Sequence, residues 1–155
     1  MTEFVEGQKA PDFEAQATGD KTITLSKLQG KRIILYFYPR DNTPGCTQEG
    51  QAFRDQFTEF DKHNALILGV SRDSLRTHEN FKAKQAFPFD LIADSDEKLC
   101  TLFDVIKMKN MYGRKARGIE RSTFLIDEHG NFAHIWRQVR VKGHVEDVLE
   151  KLRSL

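Results

Sequence analysis

Ile33-Ile34-Leu35-Tyr36-Phe37-Tyr38-Pro39-Arg40-Asp41-Asn42-Thr43-Pro44-Gly45-Cys46 is the stretch on which the reading of this 155-residue chain turns. Its unbroken apolar run predicts a strand over Arg32–Tyr38 with both faces covered. Pro39 ends that strand. Thr43 then stands where a helix N-cap belongs, Pro44 falls at N1, where its missing N–H costs nothing, and Cys46 falls at N3. Unpaired backbone N–H groups and the positive end of the helix dipole meet there, and both favour a thiolate. A free thiol of pKa about 8.5 is only about 3% ionised at pH 7. Full activation therefore gains roughly 30-fold in thiolate, near 2 kcal/mol of barrier. Intrinsic nucleophilicity falls as the pKa falls. Most of any catalytic gain must come instead from donors aimed at the atoms that acquire charge. The Thr43 hydroxyl is one such group: as a cap it accepts from a backbone N–H and still donates outward. An arginine is the natural second, because its charge is permanent and its donors are several.

On either side of this stretch, short β-like runs alternate with helical patterns, which predicts a layered α/β fold. Strands are expected at Thr22–Leu25, Ala65–Val70, Phe89–Ala93 and Thr123–Ile126. A hairpin through Glu128-His129-Gly130-Asn131 leads to a further strand at Phe132–Trp136. A helix starting at Pro44 carries Phe53, Phe57 and Phe60 at i, i+4 and i+7. Ser74 caps a helix to about Gln85, with Leu75, His78 and Phe81 facing inward. Asp96–Phe103 is a short helix. His144–Leu155 closes the chain with Val145, Val148, Leu149, Leu152 and Leu155 on one stripe.

A chain of this length is expected to form one domain, residues 1–155, with a core that needs no staples. The net charge of +1 supplies no global field toward nucleic acid or membrane. Two cysteines are not a disulfide framework and fit a reducing compartment, hence the cytoplasm. The opening MTEFVEGQKAPDF lacks the basic and apolar regions of a signal peptide, and no apolar run approaches the ~18 residues of a membrane span. There is no Cys-x-x-Cys and no glycine-rich phosphate loop. His63, His78, His129, His134 and His144 show no metal-ligand spacing. Five basic residues lie in Lys107–Arg117 around Tyr112. One aromatic is not a stacking array, so this reads as a solvated basic loop and not a nucleic-acid site.

Four segments carry a resemblance to the peroxiredoxins, and within them to the bacterioferritin comigratory protein subgroup: Gly7-x-x-Ala10-Pro11-x-Phe13, YFYPRDNTPGCTQE, MYGRKARGIERSTFLID and the closing helix. The second and fourth are specific. The resemblance implies a thioredoxin-like fold with N-terminal additions, a central mixed β-sheet flanked by helices. It implies a thiol-dependent peroxidase in which Cys46 attacks hydrogen peroxide or an alkyl hydroperoxide and becomes a sulfenic acid. Thioredoxin or another thiol reductant then restores it. Arg121, in Arg121-Ser122-Thr123-Phe124, is implied to reach the cysteine pocket. Thr43 joins it in binding and polarising the peroxide, Pro39 shields the site, and Glu49 holds the arginine. No flavin, haem or metal is implied, because the thiol carries the redox chemistry. A monomer is expected. The chain departs from many relatives in its resolving cysteine: Gln51 stands at one usual position, and no cysteine lies near Lys82 or Ala83. Either Cys46 works alone with an external thiol, or Cys100 reaches it after local unfolding. The apolar neighbours of Cys100 favour the first. The competing class is a non-catalytic thioredoxin-fold binding or holdase module.

Overall fold

The computed structural model describes residues 3–155, with Met111 known by its backbone alone. Met1 and Thr2, which open the N-terminal stretch read above, lie outside the described residues. The expected central strand is β3 (Arg32–Phe37), and every residue after Arg32 in it is buried. It pairs in parallel with β4 (Ala65–Ser71) and antiparallel with β8 (Ser122–Ile126). Next to β4 lies β5 (Asp90–Ala93), also parallel. The antiparallel pair β1 (Glu14–Ala17) and β2 (Lys21–Thr24) forms one edge, and β9 (Phe132–Trp136) the other. The sheet is therefore mixed, in the order β2-β1-β5-β4-β3-β8-β9.

Alternation along the strands divides the apolar residues into two layers. Ile33, Leu35 and Phe37 face a layer closed by the N-terminal Ala10 and Phe13 and by α4 (Lys98–Leu102). Ile34, Tyr36 and Tyr38 face the other layer. It is closed by α1 (Pro44–Asp55), α2 (Phe57–Lys62), α3 (Leu75–Gln85) and α5 (His144–Arg153). The helix expected from Pro44 through Phe60 is broken at Gln56, whose backbone leaves helical geometry (φ −105°, ψ 9°). The break keeps Phe53 and Phe60 both fully buried. Ser74 caps α3 as anticipated, its hydroxyl accepting from Thr77 N–H at 3.2 Å.

Three strands were not anticipated. β1 reads Glu-Ala-Gln-Ala, without β-branched or aromatic residues, and is a strand only because β2 and β5 pair with it. The stretch read as a basic loop is a hairpin, β6 (Ile106–Met111) and β7 (Arg114–Ile119), in full antiparallel register around Tyr112 and Gly113. In β6, Ile106 and Met108 do alternate with Lys107 and Lys109, a period-2 signal hidden by the reading of the stretch as basic, whereas β7 is charged and small up to Ile119.

Helix α1 reaches its place because of Gly50, one turn beyond Cys46. A Cβ at Gly50 would stand 2.4 Å from Phe87 Cζ. Phe87 has nowhere to retreat, being stacked on Phe89 at 4.9 Å and edge-on to Phe81 at 5.1 Å. Glycine to alanine inside a helix ordinarily stabilises. Here overpacking wins, and Gly50→Ala is expected to cost about 2 kcal/mol, or roughly 4–8 °C in Tm at this chain length. Thermal unfolding checks the sign: a Tm at or above that of the parent protein would show that Phe87 yields.

Candidate active site

Strand order brings together residues far apart in the chain. Phe37 pairs with Ser122, so the chain leaving β3 toward Cys46 and the chain entering β8 from Arg121 lie at the same end of the sheet. Thr43 has the extended backbone of an N-cap, Pro44 is N1, and the first helical bond runs from Thr47 N–H to Thr43 C=O at 2.9 Å. Cys46 is therefore N3, as expected, and is only 2% exposed.

Arg121 lies across that first turn. Its Nη2 donates to Cys46 Sγ at 3.4 Å, and its Nη1 donates to Glu49 Oε1 at 2.6 Å. Glu49 is fully buried, and its Oε2 has no hydrogen-bond partner. Burial pushes its carboxyl up to about 7, against the pull of Arg121. Burial works the other way on Arg121, but Glu49 and Cys46 outweigh it, and its pKa is raised. Tyr36, stacked on Phe53 at 4.7 Å, floors the site. Its burial, and then Glu49 and Cys46, hold its phenol pKa well above the usual value, so it stays neutral. Pro39 and Arg121 sit together on a cleft of about 430 Å³, whose other walls include Lys107, Lys109 and Val139.

Thr43 is placed as expected but its hydroxyl is not. It makes no cap bond; it donates instead to Arg40 C=O at 2.7 Å. The N-terminal turn of α1 thus keeps its N–H groups for other acceptors, and the Thr43 oxygen is left as an acceptor. Cys100 is fully buried and lies in the apolar layer on the opposite face of the sheet from Cys46. Burial, reinforced by the Asp94 carboxylate, holds its thiol well above the ordinary range. Both cysteines are free thiols.

Sequence reasoning missed the group beneath the loop. Asp41, Tyr38 and His78 form a buried cluster, and Asp73 lies beside it. A histidine on the inward stripe of α3, beside Phe81, was the available signal, because a buried imidazole needs polar partners.

Comparison with known proteins places the chain in a family. Residues 6–135 match the AhpC/TSA family. The chain is a peroxiredoxin of the AhpC/TSA family. A relative named peroxiredoxin Bcp from Xanthomonas campestris pv. campestris is 51% identical over 143 residues, covering 92% of this chain and 89% of the relative. The Bacillus subtilis peroxiredoxin Bcp is 48% identical over 149 residues, 96% and 95% of the two chains. Among solved structures, PrxQ from Xylella fastidiosa superposes with a TM-score of 0.93 at 44% identity, covering 99% and 98% of the two chains. Peroxiredoxin Q from Xanthomonas campestris gives 0.90 at 48%, covering 96% and 97%. This peroxiredoxin is accordingly a thiol-dependent peroxidase with a thioredoxin-like fold. Among the described residues, no helix is long and apolar enough to cross a membrane.

Proposed function

We propose that Cys46 is the peroxidatic nucleophile and that Arg121 is the group that binds and polarises the peroxide. The observation that carries this reading is the guanidinium bridging Cys46 and Glu49, at 3.4 and 2.6 Å. Two positive sources, the α1 N-terminus and Arg121, face the sulfur. The thiolate attacks the terminal oxygen of ROOH. The S–O bond forms as the O–O bond breaks, the leaving oxygen takes a proton to become alcohol or water, and the sulfur becomes a sulfenic acid. Arg121 donors offset the charge that builds on the two oxygens. With its own hydrogen on Arg40 C=O, Thr43 Oγ1 accepts the peroxide hydrogen and so orients the attacked oxygen. Pro39 narrows the cleft, and Glu49 aims the guanidinium.

The substrates are hydrogen peroxide and alkyl hydroperoxides. A structure of the Xanthomonas campestris bacterioferritin comigratory protein, 47% identical, is described in terms of alkyl peroxide reduction activity. Recycling uses an external thiol, thioredoxin first. One thiol displaces water from the sulfenic acid to give a mixed disulfide, and a second releases Cys46 as the reductant's disulfide forms. On this reading Cys100 takes no part: in the folded chain it lies in the apolar layer across the sheet from Cys46. The enzyme is taken to act as a single-domain monomer in the cytoplasm, consistent with two unbridged cysteines.

One equivalent of peroxide, followed by intact mass, tests the reading. Cys46 should gain about 16 Da within seconds, and about 32 Da with excess peroxide. Oxidation as slow as that of free cysteine, or shared equally with Cys100, would favour a non-catalytic thioredoxin-fold module. Turnover with thioredoxin should survive Cys100→Ser. Loss of about 2 Da in the parent protein, together with a folded but inactive Cys100→Ser, would make Cys100 the resolving thiol.

A further inference from the structure

Asp41 sits in the middle of the loop that joins β3 to Cys46, and both its carboxylate oxygens and its backbone N–H are hydrogen-bonded. One carboxylate oxygen accepts from Tyr38 Oη at 2.6 Å. The other lies 2.6 Å from Nδ1 of His78 on α3. His78 Nε2 lies 2.9 Å from the Ile92 carbonyl, which only accepts, so that nitrogen carries a hydrogen. One further proton must then lie between Nδ1 and the Asp41 carboxylate. Both side chains of this proton-bridged pair are 0% exposed. The Asp41 N–H donates to Asp73 Oδ2 at 2.9 Å, and Ser71 Oγ holds that same oxygen at 2.5 Å. The next residue, Asn42, has φ of +63°, a conformation that needs external support.

The loop supported in this way sets where Cys46 stands relative to Arg121. It also creates a conflict between the two half-reactions. Peroxide is small enough to meet a buried sulfur beside Arg121, which lines the cleft although Cys46 itself does not. A protein thiol must bring its own sulfur into bonding contact in line with the bond it breaks, and at 2% exposure Cys46 does not admit one. The loop and the first turn of α1 have to swing outward for that step.

We propose that Asp41 and His78 are positioning residues, a latch that holds Cys46 opposite Arg121 for the peroxide step and that must release for the step with a protein thiol. This rests on the assignment of Cys46 as the nucleophile. The latch couples the two steps with opposite sign: what loosens the loop slows the first and speeds the second.

The test uses the full chain and measures the two half-reactions separately. The first is oxidation of reduced enzyme by hydrogen peroxide. The second is reduction of pre-formed sulfenic acid by thioredoxin, with dithiothreitol as the small-thiol control. Asp41→Ala should lower the peroxide rate by about 100-fold, the scale of an ångström of misplacement, and raise the thioredoxin rate severalfold. Asp41→Asn should recover most of the peroxide rate. Its amide nitrogen can donate to Nδ1 of a neutral His78 that still donates to Ile92, while its oxygen accepts from Tyr38. If Asp41→Ala does not fold, His78→Gln serves as the second variant, since its amide can still reach the Ile92 carbonyl and only the tie to Asp41 is lost. Rates that move together, or do not move, in a folded Asp41→Ala or His78→Gln overturn the latch alone. A parent protein that peroxide does not oxidise at Cys46 overturns the latch and the nucleophile assignment together.

Discussion

Arg121→Ala is expected to lower the rate constant for reaction with hydrogen peroxide by about 100- to 1,000-fold, the range for loss of one preorganised donor to a developing oxyanion. The guanidinium touches both Cys46 and Glu49, so its removal takes away a donor to the substrate and a positive charge beside the sulfur. The fold should suffer much less. Glu49 would be left buried without its partner, but its carboxyl already lies near 7. Without Arg121 it simply keeps its proton at neutral pH, which avoids an uncompensated buried charge. Arg121→Lys is the informative companion. It retains the charge, but one ammonium cannot reproduce the fork that spans sulfur and carboxylate, so it should fall between the parent and Arg121→Ala. Stopped-flow kinetics paired with thermal unfolding decides the matter. A variant that keeps the parent rate would remove Arg121 from the reaction.

The second large effect concerns stability against pH, and its origin is Glu49. The carboxyl is raised from 4.5 to about 7 by burial. An acid whose folded pKa exceeds its unfolded value binds its proton more tightly in the folded state, so stability falls as pH rises between those two values. Below about 4.5 both states are protonated and nothing is lost. Above about 7 both are ionised and the full penalty is present, on the order of 3 kcal/mol at about 1.4 kcal/mol per pH unit. Glu49→Gln has no proton to lose. Its stability relative to the parent should therefore climb across pH 4.5 to 7 and level off above, whatever constant offset comes from leaving Arg121 without a carboxylate. The same variant should reduce peroxide more slowly, because a neutral amide oxygen holds the guanidinium less firmly than a carboxylate does. Denaturant unfolding at pH 5 and pH 8 supplies the comparison. A stability difference that stays flat with pH would show that Glu49 is ionised throughout.

Several parts of the site were legible because their causes are local. Thr43, Pro44 and Cys46 occupy N-cap, N1 and N3 by virtue of their neighbours alone. The unbroken apolar run before Pro39 announced a strand buried on both faces, as β3 is. The Thr43 hydroxyl was misjudged, because the choice between its own helix and Arg40 C=O depends on how the 40–43 turn closes. β1 went unread for a related reason: its pairing partners, not its side-chain pattern, make it a strand. The Asp41–His78 pair joins positions 37 apart through two elements whose packing no local pattern encodes.

What the chain determined on its own was the chemistry available: a cysteine in the first turn of a helix, behind a strand that ends in proline. Which groups meet that cysteine was decided by strand order. Arg121 is 75 positions away in the chain and 3.4 Å away in space because β8 lies antiparallel to β3, in a register that puts its first residue beside the last of β3. Cys100 lies across the sheet from Cys46 for the same kind of reason, since the sheet stands between the two apolar layers and only tertiary packing assigns each helix to one of them.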